Sequence, residues 1–375
     1  MILRIEEMQS ACSKILAAVD SNNLSVLTET LQMKSAGRKL FISVTNREYF
    51  AKVAIDVDTD VEFHATVNAN LFLKLISQIT TDTIEMNVVE NSLVLKGNGT
   101  YNLPLIFDGD VLLDLPEINI YNPTVNFTIN SEVLLSILQY NSKEITKGSI
   151  SKPIQKLYYM DENGAVTFTT GACVNNFTLD KPVKVLMNDR LVKLFKLFKG
   201  EKVNFTLGYD ALSNDIIQTK VRFESSNVSI TAILSCDDSM LKQFPVNAVR
   251  GRAEASYPYS INMNREQLIQ TINRLMLFTT SNNGKEIVKP NSTFEFKRDY
   301  VTIYDVKKEN KEDLYYTSTF ANIDDNYVAI LDLNDLRATL ETCAEQYVTL
   351  NFGDGQAVVL ARGNIKNVIP ECRIN

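Results

Sequence analysis

The chain has 375 residues, a formal net charge of −7 and 45% hydrophobic residues, which is enough for two or three domains with real cores. One histidine and five widely spaced cysteines without a CxxC pair argue against a His-based zinc site, His-based nucleophilic catalysis and a disulfide framework. No stretch approaches the roughly 18 apolar residues of a membrane span, and the N-terminus lacks a signal-peptide core. We therefore expect a cytoplasmic protein with reduced thiols.

The first third of the chain predicts two helices among many strands. EEMQSACSKILAAV has apolar residues at helical spacing, and NLSVLTETLQMK, RKLFISVTN and YFAKVAIDV are strand-like runs between polar turns. A second helix is expected over 71–79 with Asn70 as its N-cap, followed by the strands TIEMNVV, SLVLKG and YNLPLIF. His64 lies in the alternating segment VEFHAT, so we interpret it as an ordinary strand residue.

The middle third repeats this order. Residues 112–123 contain two prolines and are interpreted as a linker. A helix over 131–140 precedes the strands KLYYMD, AVTFTTG and NNFTLDK, and a second helix, DRLVKLFKLFK, is expected to be capped by Asn188 or Asp189. VNFTLGY, TKVRFES and VSITAILS follow as strands, and residues 244–258 are interpreted as the next linker.

The last third begins at Tyr259 and again shows two helix openings. Its charge run KKENKED, at 307–313, is expected in a solvated hairpin loop. Across the chain, the first set of strand-and-helix openings starts at Leu3, Val125 and Tyr259, and the second set starts at Thr66, Val185 and Ile330. A repeat longer than one hundred residues is too long for a solenoid, so we predict three similar modules, 1–120, 121–250 and 251–375. The fold class is α+β, with two helices per module packed on antiparallel sheets.

The sequence offers little catalytic chemistry. It contains no GxGxxG, GxxxxGK[ST] or GxSxG motif, and Cys173 has no histidine nearby in sequence. The acidic pairs Asp237–Asp238 and Asp324–Asp325 could hold a divalent ion, but loop or cap roles are favoured because no third carboxylate stands at a fixed offset. We predict a protein that is not an enzyme and that has no cofactor or metal.

Basic residues recur on the predicted helices. They are Lys14, Lys74, Lys143, Lys147, Arg190, Lys193, Lys196, Lys199, Arg265, Arg274 and Arg337. One interpretation is a set of ordinary solvated helix faces. The other is a common surface whose positive charge follows a phosphate backbone without reading its sequence. An acidic protein with basic helices suits sliding on DNA without tight binding.

Taken together, order and spacing resemble the bacterial DNA polymerase III beta sliding clamp family over essentially the full chain. The most specific segments are LFISVTNREYFAKVAI, LKQFPVNAV, YVAILDLNDLRATLETCAEQYVTLNFG and the terminal NVIPECRIN. The resemblance implies a head-to-tail homodimer closed into a ring of six modules, with twelve helices facing the hole. It also implies loading onto duplex DNA by an ATP-driven clamp loader and tethering of a replicative DNA polymerase.

The resemblance further implies a groove between modules two and three that receives a short hydrophobic peptide of partner proteins. By position, the groove residues are Ile154, Thr169, Gly171, Val174, Pro245, Val249, Ile369 and Pro370. Core packing remains an alternative for Ile154, Val174 and Ile369. The family's usual basic residue after the FP pair is Val249 here, its His-Arg is Ala172–Cys173, and its Met-Pro-Met-Arg is Ile369–Cys372. These departures indicate a divergent member, such as a phage-encoded one acting in an infected bacterium.

The resemblance also places a subunit interface at Leu71, Leu75 and Tyr101 against Leu277 and Phe278 of the next subunit. Core packing explains these apolar residues equally well at this stage. A different class of protein, a structural assembly protein such as a capsid or tail component built of repeated α+β modules, is the alternative function. It would not need basic residues concentrated on its helices. A metal-dependent hydrolase using Asp237 and Asp238 is a third, weaker hypothesis.

Overall fold

The structure is a computed structural model that describes residues 1–19, 25–58, 62–213, 216–234, 238–278, 290–320 and 326–372. The α-helices in these ranges are α1 Ile5–Leu16, α2 Ala69–Gln78, α3 Ser131–Ser136, α4 Ser142–Thr146, α5 Asp189–Lys193, α6 Asp238–Gln243, α7 Val246–Ala253, α8 Arg265–Met276 and α9 Leu333–Glu341. A π-helical turn spans Ile137–Asn141, and 3-10 helices span Val26–Glu29, Pro153–Lys156 and Leu194–Phe198.

Strands make up most of the rest of the fold. They are β1 Ile2–Arg4, β2 Thr30–Ala36, β3 Lys39–Thr45, β4 Tyr49–Asp56, β5 His64–Asn68, β6 Thr83–Val89, β7 Ser92–Lys96, β8 Thr100–Pro104, β9 Phe107–Asp108, β10 Val111–Leu112, β11 Pro123–Asn130, β12 Leu157–Asp161, β13 Gly164–Phe168, β14 Ala172–Asn176, β15 Lys184–Asn188, β16 Lys202–Ser213, β17 Ile216–Glu224, β18 Val228–Leu234, β19 Tyr259–Asn264, β20 Asn291–Phe296, β21 Tyr300–Tyr304, β22 Lys311–Tyr315, β23 Thr317–Phe320, β24 Tyr327–Asp332, β25 Tyr347–Phe352, β26 Ala357–Arg362 and β27 Ile365–Pro370.

The chain forms two compact units, and their boundary cuts through the middle third of the sequence. The first unit comprises residues 1–135 and 190–237, and the second comprises residues 136–189 and 238–375. The three module ranges stay predictions, because strands of the middle third pair with both flanking thirds. In the first unit β18 pairs with β4, and in the second β14 pairs with β27. We call these two pairings the seams.

The first unit is built on an antiparallel eight-stranded sheet in the order β11-β16-β17-β18-β4-β3-β2-β5, beside a four-stranded sheet β1-β6-β7-β8. Val221, Ala232 and Tyr49 stand opposite one another in register, so their side chains share one face. On this face the Tyr49 hydroxyl donates to the carbonyl of Ala18, just after α1, at 2.6 Å. Phe223, two residues from Val221, shares the face. It packs against Phe195 and Phe198 of the 3-10 helix, so both helices cover the same side of the sheet.

The second unit is built on an antiparallel nine-stranded sheet, β15-β12-β13-β14-β27-β26-β25-β19-β23, and a four-stranded sheet, β22-β21-β20-β24. Thr167 and Cys173 lie in one register row and receive hydrogen bonds from the buried Asn141 amide, which places the π-helical turn on that face. Helices α8 and α9 bury their apolar faces in a core shared with both sheets, represented by Leu268, Leu336 and Leu350. Helix α7 packs on β13, β14 and β27, from the opposite face.

The α+β class with antiparallel sheets is confirmed, as are two helices at matching places in each third. His64 is the first residue of β5, as expected. The α2 N-cap is Asn68 and not Asn70: its side chain accepts from the amide of Leu71 at 3.0 Å. Residues 305–310 form a turn, and β22 begins at Lys311. Only the first four residues of KKENKED, 307–310, therefore lie in a loop.

Further expectations were wrong in detail. In the predicted strand run NLSVLTETLQMK, Val26–Glu29 form a 3-10 helix, and β2 begins only at Thr30. The linker 244–258 contains the helix α7, which the sequence pattern did not indicate. NNFTLDK contributes only its first residues to a strand, because β14 ends at Asn176. In the predicted linker 112–123, residues 113–122 are irregular, while Leu112 ends β10 and Pro123 begins β11.

Candidate nucleic-acid interface and partner groove

The most regular basic feature is the segment LVKLFKLFK, residues 191–199, in the first unit. Its first turn is α-helical, and a 3-10 helix follows over Leu194–Phe198. A 3-10 helix has three residues per turn and rises about 2 Å per residue, so every third side chain stands above the last at about 6 Å. Lys193, Lys196 and Lys199 are therefore aligned on the exposed edge, and we call them the lysine row.

The apolar residues between these lysines explain why the row is exposed. Leu194, Phe195, Leu197 and Phe198 are all buried, and the two phenylalanines pack on Phe223 of the sheet. The strict period of three, with two apolar residues and then one lysine, was the sequence signal for a 3-10 helix. In an α-helix, which has 3.6 residues per turn, the same three lysines would instead drift around the helix axis.

The other basic residues expected in the first unit are arranged less favourably for binding an external anion. Lys14 on α1 lies 3.3 Å from the carboxylate of Glu201, and Arg190 lies 3.8 Å from that of Glu48. Lys74 on α2 is exposed. Helices α1 and α2 pack side by side, and Gln9 of α1 donates to the carbonyls of Ile76 and Ile79 near the end of α2.

In the second unit, most of the expected basic residues are already paired with acids. Lys147 lies 3.4 Å from Glu144 and 3.2 Å from Asp335, and its side chain is largely covered. Among the others, Arg265 pairs with Glu266, Arg274 with Glu312, and Arg337 with Glu341. Lys143 is exposed on α4. Within the part of the chain that the structure describes, Lys74, Lys143, Lys196 and Lys199 form no ion pair, so their charge is available to an external anion.

Several predicted groove residues come together in the second unit. Thr169 and Gly171 stand just before β14, and a Cβ at Gly171 would meet the carbonyl of Val368 at 2.5 Å and the Pro370 ring at 3.4 Å. Only a glycine therefore fits where this turn approaches β27. The Thr169 hydroxyl donates to the carboxylate of Glu144, which is buried.

The remaining groove residues divide between surface and core. Pro245 and Val249 flank the first turn of α7 and are half-buried, like Ile154 on its short 3-10 helix. Val174 is fully buried on the sheet face that α7 covers. Ile369 belongs to the apolar core around α8 and α9, which favours the core alternative for this residue.

Sequence reasoning missed the aromatic residues beside α7. Phe244 stacks on Tyr159 with ring centroids 5.2 Å apart and meets Phe168 edge-on at 5.0 Å. Phe244, Tyr159 and Pro245 line a cavity of about 450 Å³, with Lys184 and Lys242 at its rim. The signal that could have identified this feature is Phe directly before Pro245, at the start of a segment that was interpreted as a linker.

Three of the five predicted interface residues are exposed apolar side chains. Leu71 is 52% exposed on α2, and Leu277 and Phe278 are 75% and 45% exposed at the end of α8. Leu75 and Tyr101 are half-buried. The exposure of Leu277 and Phe278, which are adjacent in sequence, is compatible with the predicted interface, which stays a prediction. Tyr315, 72% exposed on the edge strand β22, is a further candidate that the sequence did not single out.

No group of three or more His, Cys, Asp or Glu residues that could hold a metal occurs among the described residues. Asp237 and the pair Asp324–Asp325 lie outside those residues, and the Asp238 side chain is likewise not described. None of the helices in the described ranges is long and apolar enough to cross a membrane. Cys12, Cys173 and Cys343 are free thiols, and burial raises the pKa of Cys12 and of Cys173 to about 12.

Comparison with curated proteins finds two similar sequences, while no family model matches. A beta sliding clamp of Helicobacter pylori strain J99 is 23% identical over 176 residues, which are 41% of this chain and 46% of the relative. One of H. pylori strain 26695 is 25% identical over 131 residues, 34% of each chain. The matched part thus spans less than half the length of these curated relatives.

Solved structures match over the whole chain. The DNA polymerase III subunit beta of Pseudomonas aeruginosa gives a TM-score of 0.79 at 13% identity and covers 100% of both chains. That of Thermotoga maritima gives 0.78 at 11% identity, covering 100% of this chain and 99% of its own. A P. aeruginosa sliding clamp bound to griselimycin gives 0.79 at 13% identity, with the same coverage. The resemblance inferred from sequence is therefore confirmed, and the chain has the fold of the bacterial DNA polymerase III beta sliding clamps.

Proposed function

We propose that the protein is a DNA sliding clamp: a polymerase processivity factor that encircles duplex DNA and carries out no chemistry itself. The observation that carries the proposal is the agreement of fold with DNA polymerase III beta subunits along the entire chain. As a homodimer the chain would close a ring around DNA in the cytoplasm. Its replicative polymerase and clamp loader would bind through short hydrophobic peptides. The comparisons favour this function over a structural assembly protein.

The lysine row supplies the DNA contact in this proposal. Its lysines stand about 6 Å apart along a straight edge, which presents a row of positive charge to a phosphate backbone. The contacts are weak and sequence-independent, which a ring requires if it is to diffuse along DNA. Retention then comes from the closed ring and not from affinity. Lys147, Arg274 and Arg337 contribute less, because a phosphate must compete with carboxylates that already neutralise them.

Partner binding is assigned to the surface between α7 and the turn before β14. Pro245, Val249 and Pro370 give it an apolar character, and Phe244 and Tyr159 extend it toward the cavity. An apolar groove of this kind suits a short peptide with one or two large apolar side chains. Griselimycin, which a P. aeruginosa clamp binds, is a practical probe. Calorimetry should detect its binding to the wild type and weaker binding to Val249→Asp, whereas equal binding would contradict this assignment.

The assembly is tested by size-exclusion chromatography with light scattering. The expected mass is about twice the 42.3 kDa subunit at micromolar concentration. Leu277→Asp with Phe278→Asp should shift the protein to monomers, because two charges would then be buried in the ring contact. Open-ended assemblies would favour the structural alternative. A monomeric wild type that binds short linear duplex tightly would contradict the clamp.

The DNA contact is tested by the salt dependence of weak binding to a short linear duplex. At physiological salt we expect a Kd in the non-specific range of about 10⁻⁴ to 10⁻⁶ M. Lys196→Ala with Lys199→Ala should lower the slope of log K against log salt by up to ~1.8, since each phosphate contact contributes about 0.9. Arg337→Ala is the matched control and should change the slope less, because Glu341 already pairs with this arginine. Equal changes in both variants would remove the lysine row from the proposal.

A further inference from the structure

We propose that residues 244–258 are a strap across the β14–β27 seam, and that Arg250 and Glu254 are positioning residues that hold α7 in place as one wall of the partner groove. The inference rests on the proposed function only where it calls that surface a partner groove. The positioning itself is a property of the chain alone. It is inferred from which strands of the nine-stranded sheet carry the ion-pair partners of α7.

The first anchor lies on the β12 side of the seam. Arg250 donates two hydrogen bonds to Asp161 on β12, Nη1 to Oδ2 at 2.6 Å and Nη2 to Oδ1 at 2.7 Å. Asp161 is nearly fully buried, and the guanidinium also lies over the Tyr159 ring at 6.0 Å. A bidentate pair fixes orientation as well as distance, so this contact sets the rotation of α7 about its axis.

The second anchor lies on the seam itself. The Glu254 carboxylate accepts from Asn176, the last residue of β14, at 3.2 Å, and forms an ion pair with Lys366 on β27. Its pKa is lowered, chiefly by the hydrogen bond from Lys366. One carboxylate thus joins both strands of the seam, next to the backbone bond from the Asn176 amide to the carbonyl of Asn364. Arg252 adds a third contact at 2.7 Å to Asp354, in the turn after β25.

The local sequence of α7 does not favour a helix. Its eight residues are fewer than the roughly 12–15 that an isolated helix needs, and they include Gly251. Pro245, at the N-cap, provides no side-chain hydrogen bond. The helix therefore depends on its tertiary anchors, and these stand on both sides of the seam. A change in the seam would move α7, and with it Pro245 and Val249.

Hydrogen exchange on the full-length protein tests this inference without any partner molecule. The reporters are α7 amides, such as the Val249 amide bonded to Pro245 and the Glu254 amide bonded to Arg250. Glu254→Lys and Lys366→Glu should each speed their exchange at least about tenfold, because each places like charges together. The double variant restores opposite charges, and Asn176 can accept as well as donate, so exchange should return to within about threefold of wild type.

Amides that join β25 and β26 serve as the internal control and should exchange at an unchanged rate in every variant. The inference is overturned if the single variants leave α7 unchanged, or if the double variant fails to restore it. It is also overturned if exchange rises across the whole second unit, since the effect would then be general destabilisation. Failure of the clamp proposal would show as loss of ring mass or of griselimycin binding in the wild type, which these exchange rates do not measure.

Discussion

The two segments that lead from one third of the chain to the next both cross a large sheet, but they differ in structure. Residues 113–122 cross the eight-stranded sheet on the face opposite the helices, and 244–258 cross the nine-stranded sheet on the corresponding face. The first segment stays irregular, whereas the second folds into α7. Both pass over a seam, β18–β4 in the first unit and β14–β27 in the second.

The anchors of the first segment are mostly exposed. Asp114 contacts Gln32 and lies 3.4 Å from Lys34, and Glu117 lies 3.9 Å from Lys52. Asp114 is 60% exposed. Exposed ion pairs contribute roughly 0–1 kcal/mol each, so this end of the segment is held weakly.

The other end of the first segment is held more firmly. Lys220, itself paired with Asp210 at 2.7 Å, donates to the carbonyl of Asn119 at 2.9 Å. Gly208 leaves room for the chain to pass, since a Cβ there would meet Ile120 at 2.2 Å. The buried pair of this region thus joins two sheet strands, and the segment only contacts it. In the second segment the buried pair includes Arg250 of the segment itself. Only the second segment, which supplies one partner of a buried ion pair, contains a helix.

The largest expected effect comes from Arg250→Ala. Asp161 would keep its charge in a buried site without a partner, and breaking such a pair costs about 3–5 kcal/mol. Urea unfolding should show this loss in the second unit. The matched variant in the first segment is Glu117→Ala, which breaks an exposed pair with Lys52 and should cost less than about 1 kcal/mol. Equal costs would mean that the two segments are held alike.

The two segments should also differ in how the free energy of unfolding changes at acid pH. Burial alone would raise the pKa of Asp161, but hydrogen bonds from Arg250 and from the Asn163 amide outweigh it and lower the pKa. A lowered carboxyl pKa contributes stability above the unfolded value of about 3.9, and this stability is lost as the pH falls through the folded value. Asp161→Asn should therefore be clearly less stable than wild type at pH 7, and the gap should narrow toward pH 3.

The corresponding variant in the first segment is Asp114→Asn. The pKa of Asp114 is also lowered, chiefly by the hydrogen bond from Gln32, but the carboxylate is largely in water. Its difference from wild type should be small at both pH values, as measured by urea unfolding of each variant. A gap for Asp161→Asn that stays constant between pH 7 and pH 3 would show that the ion pair does not carry the effect.

The contrast also marks what the sequence could and could not predict. The antiparallel strands and the buried faces of α1, α8 and α9 follow from local periodicity, which a single sequence displays. The spacing of three between the lysines of LVKLFKLFK is visible in the sequence, but their alignment was not predicted, because the 3-10 geometry of Leu194–Phe198 was not. Helix α7 could not be predicted, because its local helix propensity is poor. The residues that its side chains bind, Asp161 and Lys366, lie 89 and 112 residues away in sequence. The sequence left core packing of Ile369 open, and the structure favours it, because Ile369 belongs to the apolar core around α8 and α9.

The smallest effect expected is a gain in stability from Gly251→Ala. Gly251 lies inside α7, a Cβ there would meet nothing within 4 Å, and alanine favours a helix by about 0.5–1 kcal/mol over glycine. Gly109, just before the first segment, has an equally open Cβ position but a φ of +63°, where alanine is strained. The same substitution should therefore stabilise the protein at 251 and destabilise it at 109, as measured by urea unfolding. A loss at 251 would mean that α7 is not helical in solution, and the anchors at Asp161 and Lys366 would then hold an irregular strap like the first.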